Sequence, residues 1–276
     1  MKKLARISLS AIVTVLMFSL ALGSASTAFS KTTTIKAPVM LKINQYYVLY
    51  TTPDVPYIDK QNRFMMPLRA VSELLGAEVS YDATSKKAAV SWDEKTVEVT
   101  LNSKNVMYNG TAKQIDTIPL IKQGHVFIPA RVLLDGLNIK STYKDSLLTM
   151  TDERFRDSSK IISTLIYDGV DFYGTRKDVD MNTNDIRPLY VELTLPTSNK
   201  SGAIKIKSQN ISGNDMPKDT ENLRLTFVME DGSMGFQGKD RTRPAVKAGA
   251  TYELSFDISS SENPIKYILA VGKTVD

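Results

Sequence analysis

The first half of the chain contains one sequence pattern twice, at a spacing of 62 residues. Each copy has a short apolar run, a proline, an arginine two positions later, and then an apolar stretch of helical length. The positions in register include Pro67 and Pro129, Arg69 and Arg131, and Tyr81 and Tyr143. Because so many positions are in register, the repeat is not a coincidence, and any fold for this half must contain the same unit twice.

Each copy predicts a strand that leads directly into a helix of about nine residues. The apolar runs at 64–66 and 126–128 are typical of buried strands, and the proline after each run has no N–H to lose at the start of a helix. Gly76 supplies a positive φ that ends the first helix, and Asn138, the next-best residue for that conformation, takes its place in the second copy. Alternating segments separated by turn residues follow each helix. We therefore expect a duplicated small antiparallel sheet with short helices, which is an α+β domain.

These motifs resemble a known family, the domain named after the N-terminal region of copper amine oxidases, also called a stalk domain. In the first copy the motifs are Pro67-Leu-Arg69, Gly76-Ala-Glu-Val79 and Tyr81-Asp82. The second copy departs from the pattern at Ala130, Asn138 and Lys144. The resemblance covers about residues 39–152. It implies a non-catalytic module of secreted and surface proteins, often in bacteria that export many cell-wall proteins.

The composition excludes much of metal and nucleophile chemistry. The chain has no cysteine, and His125 is its only histidine. Thiol nucleophiles, disulfides, thiolate zinc sites and iron–sulfur clusters are therefore excluded, together with any site that needs two imidazoles. An oxidase of the resembled family would need three histidines on copper and a quinone made from tyrosine. We expect no catalytic residue, no cofactor and no enzymatic activity, with His125 in a solvated turn.

The N-terminal residues have the three-part plan of a secretory signal peptide. Three basic residues precede a mostly apolar stretch at 7–22, and small residues favour cleavage after Ala28, with cleavage after Ala25 as the competing choice. The apolar stretch is shorter than the ~20 residues that span a bilayer, so we expect 1–28 to be removed and no membrane span to remain. Removal leaves 32 basic and 30 acidic residues, since the leader carries three of the 35 basic residues and no acid. Neither half then has the concentrated basic face of a nucleic-acid binder.

Arg69 and Arg131 are the candidate contact residues of the repeat. Each stands near the N-terminus of its predicted helix, where its charge opposes the helix dipole, so an anionic partner is expected. One interpretation is a structural ion pair or hydrogen bonds to loop carbonyls, with Asp59 or Asp82 as the candidate partner of Arg69. In the other interpretation the two Pro-x-Arg turns present an anion contact for an acidic cell-wall polymer or a carboxylate.

Beyond a charged connector at 153–160 the pattern changes to short alternating strands. We predict strands at 161–167, 189–195, 203–207, 223–229, 252–258 and 265–271. Because these strands come with turn signals and no convincing helix, residues 161–276 predict an all-β sandwich domain. The run at 246–256 is similar to the penultimate-strand entry of extracellular immunoglobulin-like domains.

One polar cluster in this half supplies candidate metal ligands. Asp178, Asp180 and Asn182 place oxygen ligands at alternate positions, as a calcium loop does. The sixth position lacks the glycine of such a loop, and Leu189 stands at the twelfth, where a glutamate would bind the ion. These departures favour a polar loop between strands, so no metal site is assigned.

We therefore expect a secreted, non-catalytic binding or spacer module at the cell surface or in the cell wall, with a wall polymer or a surface protein as its partner. One alternative is a calcium-dependent extracellular carbohydrate-binding protein. Its sugar-binding aromatics would be chosen from Tyr46, Tyr47, Tyr50 and Trp92. A second alternative is a carboxylate-based hydrolase, although no pair of carboxylates has a flanking pattern that would raise one pKa.

Overall fold

The computed structural model describes residues 34–52, 54–155, 161, 185–219, 223–237 and 243–272. The first part of the chain forms β1 (Thr34–Pro38), β2 (Leu41–Ile43), β3 (Tyr46–Thr51), β4 (Tyr57–Ile58), β5 (Phe64–Pro67), α1 (Leu68–Leu74), β6 (Glu78–Asp82), β7 (Lys87–Trp92), β8 (Lys95–Thr100), β9 (Asn105–Tyr108), β10 (Thr111–Gln114), β11 (Leu120–Lys122), β12 (His125–Pro129), α2 (Ala130–Leu137), β13 (Lys140–Lys144) and β14 (Leu147–Thr151). The second part forms β15 (Ile186–Thr194), β16 (Gly202–Asn210), β17 (Leu223–Met229), β18 (Met234–Gln237), β19 (Thr251–Ile258) and β20 (Ile265–Gly272).

The strand-to-helix unit forms in both copies of the repeat, as predicted. Strand β5 leads into α1 and β12 leads into α2, with a proline directly before each helix. Gly76 follows α1 with a φ of 83°, and Asn138 ends α2 in the left-handed conformation with a φ of 55°. Both helix ends are therefore confirmed, and they follow from the low cost of a positive φ at glycine and asparagine.

The two equivalent strands of the repeat lie side by side. Strands β5 and β12 pair with each other in a four-stranded sheet of order β11-β12-β5-β4. The hairpin after α1 belongs to a five-stranded sheet of order β10-β9-β8-β7-β6, which is formed by strands that are consecutive in the chain. The hairpin after α2 joins the N-terminal strands, where β14 pairs in parallel with β2. The hairpins that follow the two helices therefore lie in different sheets.

A seven-stranded sheet of order β13-β14-β2-β3-β20-β17-β18 contains strands from both sides of the predicted connector at 153–160. At its centre β3 pairs with β20, which places Val48 opposite Leu269. Tyr46 and Val48 face one hydrophobic core, and Tyr47 faces another. Because both faces of β3 are buried, this strand is a continuous apolar run.

The two cores lie on opposite faces of this sheet. The first core also takes residues from both helices and from the five-stranded sheet. The second lies against a four-stranded sheet of order β1-β15-β16-β19. The described residues of both halves belong to one compact unit. Within the described residues, neither helix has the length and apolarity that crossing a membrane requires.

The predicted fold class, α+β followed by an all-β sandwich, is wrong. The described residues are mostly strand, and α1 and α2 have only seven and eight residues. The second half does not build a sandwich from its own strands, because β1 and β3 of the first half lie in the two sheets that face each other. Alternation along a strand shows which side chains are buried, but it does not show which strand is the neighbour.

Candidate binding cleft

A cleft of about 390 Å³ lies beside α1, where segments distant in sequence meet. Its walls come from the end of β5, from α1 and β6, from the start of β12, and from β20. The side chains that give it chemical character are Arg69, Glu73, Tyr81, His125 and Lys266. We refer to it as the α1 cleft.

Glu73 is the centre of the charges in the α1 cleft. The Nζ of Lys266 donates a 2.8 Å hydrogen bond to one carboxylate oxygen of Glu73, and the guanidinium of Arg69 lies 3.6 Å from the other oxygen. The Arg69 side chain is 55% exposed, twice the exposed fraction of Lys266. Arg69 makes no other ion pair within the described residues, so most of its N–H donors face solvent. Glu230 adds a second carboxylate to the lining.

A buried hydrogen bond fixes β20 against α1. The hydroxyl of Tyr267 donates to the backbone carbonyl of Ala70 at 2.9 Å. Burial raises the pKa of Tyr267, and the nearby carboxylates of Glu73 and Glu230 raise it further. The hydroxyl therefore keeps the proton that it donates. The relative positions of Arg69 on α1 and Lys266 on β20 are therefore set by a buried contact beside the cleft.

The predicted ion-pair partners of Arg69 are wrong. The carboxylate of Asp59 binds Arg63 at 2.7 Å, and Asp82 accepts a 2.6 Å hydrogen bond from the hydroxyl of Ser85. The partner of Arg69 is Glu73, one helical turn away, because residues four apart share a helix face. The i,i+4 spacing was the sequence signal for this pair. No sequence signal pointed to Lys266 or Glu230, since both reach the cleft through strand pairing.

The two copies of the repeat present their arginines differently. Pro67 and Arg69 line the α1 cleft, whereas Pro129 and Arg131 do not belong to its lining. Arg131 is exposed. Asp135 occupies the place that Glu73 has in the first copy, and its carboxylate lies 3.9 Å from Lys113.

The structure therefore brings together Arg69 and His125, and does not bring together the two arginines. His125 is exposed at the start of β12.

The aromatic residues considered for sugar binding lie inside the molecule. Tyr46, Tyr47, Tyr50 and Trp92 are each between 2 and 4% exposed. The ring of Trp92 is covered by the guanidinium of Arg154, whose carbon lies 4.0 Å from the ring centroid. Buried rings offer no stacking surface to a sugar, so these four residues do not form a carbohydrate site.

The calcium candidates Asp178, Asp180 and Asn182 lie outside the described residues, as does most of the predicted strand at 161–167. The copper chemistry of an amine oxidase does not fit this chain. His125 is its single histidine, and a copper site of three imidazoles cannot be assembled from one.

Comparison with known families supports the resemblance found in the repeat. No curated protein matches the chain. Residues 31–151 match the family model described as copper amine oxidase N-terminal domain. The match spans both copies of the repeat, covers under half of the chain, and ends before β15. The resemblance predicted for 39–152 is therefore confirmed: residues 31–151 are similar to the copper amine oxidase N-terminal domain.

Proposed function

We propose that this protein is a secreted, non-catalytic binding or spacer module that acts at the cell surface or in the cell wall. The observation that carries the proposal is the match of residues 31–151 to the copper amine oxidase N-terminal domain. Domains of the family that the repeat resembles are modules of secreted and surface proteins. The signal-peptide pattern at 1–28 supports export of the chain. The partner is a wall polymer or a surface protein.

The continuity of the two halves supports a spacer role. The seven-stranded sheet joins strands of both halves through the pairing of β3 with β20.

Wall binding can be tested with the mature protein, residues 29–276, and isolated cell walls. The mature protein should sediment with the walls, and a chelator should leave the bound fraction unchanged. Release by the chelator would favour the calcium-dependent alternative. A protein that stays in the supernatant with walls and with intact cells would contradict a surface role. An unrelated secreted protein of similar charge is the control for non-specific adsorption.

Export is tested separately, on the full chain expressed in a secreting host. N-terminal sequencing of the protein recovered outside the cell should begin at Phe29, directly after Ala28. A protein that stays inside the cell with Met1 intact would contradict secretion.

A further inference from the structure

We propose that the α1 cleft binds an α-carboxylate that is flanked by an apolar side chain, as found at the end of a peptide or in a free amino acid. Arg69 and Lys266 are the cationic contacts for the carboxylate. This inference rests on the proposed binding function and names the chemistry of its ligand.

The two cationic side chains, Arg69 and Lys266, both contact the carboxylate of Glu73. Lys266 and Arg69 bind different oxygens of Glu73, which places both cations beside the same carboxylate. Of the two cations, Arg69 has the longer and more exposed contact with Glu73. An incoming carboxylate can therefore accept hydrogen bonds from the guanidinium without displacing Lys266 from Glu73.

The balance of charge around the cleft favours a ligand with one negative charge. Arg69 and Lys266 are matched in number by Glu73 and Glu230, so a dense polyanion would be repelled by the two glutamates. A single carboxylate avoids most of that repulsion. The carboxylate of Glu230 can also accept a hydrogen bond from an amide N–H or an amino group next to the ligand carboxylate.

The apolar part of the cleft is exposed and concave. Tyr81 is 42% exposed and Ile121 is 55% exposed, and both line the cleft beside Val126. A ligand side chain that covers them removes apolar surface from water, which favours binding. The volume of about 390 Å³ lies in the range of small-ligand pockets, about 300 to 1,000 Å³.

The second copy of the repeat supplies a matched control. Arg131 stands 62 residues after Arg69 and is also exposed, but it does not line the cleft. Asp135, in the place of Glu73, is paired with Lys113 from β10, and no strand of the C-terminal half supplies a second cation to it within the described residues. Arg131→Ala therefore removes the same kind of charge without touching the proposed site.

Binding can be followed through His125, the only histidine of the untagged chain, whose imidazole proton resonances report on the cleft. The probes are acetyl-Ala-Ala-Leu with a free carboxylate, the same peptide with a terminal amide, and acetyl-leucine. The free-carboxylate peptide should shift the His125 resonances in a saturable way, and the amide should bind about tenfold more weakly or worse. Binding of acetyl-leucine as tight as that of the peptide would identify a free amino acid as sufficient.

Substitutions then assign the contact. Arg69→Ala should weaken the carboxylate peptide about tenfold while Arg131→Ala leaves its affinity unchanged. Lys266→Met is a second test of the cationic pair, and thermal melts show that each variant is folded. Equal binding of acid and amide, equal effects of the two arginine variants, or no shift at millimolar peptide would overturn the proposal. Wall or cell binding by a variant with an inactive cleft would leave the proposed function standing.

Discussion

The hydroxyl of Tyr267 donates a 2.9 Å hydrogen bond to the backbone carbonyl of Ala70, and the tyrosine is fully buried. Tyr267 lies on β20, beyond the family-matched segment, whereas Ala70 lies on α1 of the first repeat. The C-terminal strand is thus bonded to a helix of the stalk-type domain. Because the bond is buried, water cannot replace it if one partner is lost.

Tyr267→Phe should lower the free energy of unfolding by about 1–3 kcal/mol, because it leaves the Ala70 carbonyl without its donor in a buried position. Urea denaturation of the two proteins at neutral pH measures the difference. Tyr190→Phe, at an exposed tyrosine, is the control and should change stability by about 0.5 kcal/mol or less. Equal losses in the two variants would contradict a stabilising role for the bond.

Stability should fall at alkaline pH because the protein buries several tyrosines. Burial raises the pKa of Tyr46 and of Tyr47 to about 12, from 10.0. Above pH 10 the unfolded chain loses protons that the folded protein keeps, so the free energy of unfolding falls as pH rises toward 12. Burial lowers the pKa of Lys42 to about 8, from 10.5. Between these two pH values the unfolded chain holds a proton that folded Lys42 has lost, so this residue raises the free energy of unfolding as pH rises.

The measurement is urea unfolding of the wild type and Tyr46→Phe at pH 10.5 and 11.5, where the remaining effect of Lys42 is the same in both proteins. Tyr46→Phe removes one of the titrating groups, so its stability should fall less steeply than that of the wild type, by up to about 1.4 kcal/mol per pH unit. The same pH slope in the variant and the wild type would show that Tyr46 titrates alike in both states.

Gly136 allows α2 to lie close to β8 and β9. A methyl group at this position would stand 2.7 Å from the Cδ1 atom of Tyr108 and closer still to the side chain of Val97. Gly136→Ala should therefore lower the free energy of unfolding by about 1–3 kcal/mol through overpacking. Gly235→Ala is the matched control, since no atom lies within 4 Å of the added methyl, and it should leave stability almost unchanged. Chemical denaturation of both variants provides the comparison.

Arg154 closes the surface over the single tryptophan of the chain. Its guanidinium stacks on Trp92, donates to Asp152 at 2.6 Å and donates to the carbonyl of Leu137 at 3.0 Å. Arg154→Lys keeps the charge but loses the planar donors, so we expect a loss of about 1–2 kcal/mol and a red shift of the tryptophan emission. Arg63→Lys breaks a similar arginine–aspartate pair away from Trp92 and should leave the emission unchanged. An unshifted spectrum for Arg154→Lys would contradict the stacking.

The elements of the repeat could be predicted from the sequence because their determinants are local. A proline after an apolar run marks the start of each helix, and Gly76 and Asn138 mark the ends through the cost of positive φ. The Arg69–Glu73 pair is equally local, since the two residues are four apart on one helix. The predicted partners, Asp59 and Asp82, were wrong because they lie outside this helix. The fold class was wrong for a different reason. Alternation in the second half indicates correctly the predicted strands at 189–195, 203–207, 223–229, 252–258 and 265–271, yet it carries no information on whether they pair among themselves.

Local chemistry along the chain is therefore enough to define the duplicated unit, the helix ends and the family resemblance of residues 31–151. It also excludes a copper oxidase, since one histidine cannot hold the metal. The neighbours of each strand depend on packing between distant segments, because every strand offers the same backbone donors and acceptors. Packing places β20 beside β3 and β14 beside β2. Only through that packing do Arg69, His125 and Lys266 come to share one cleft.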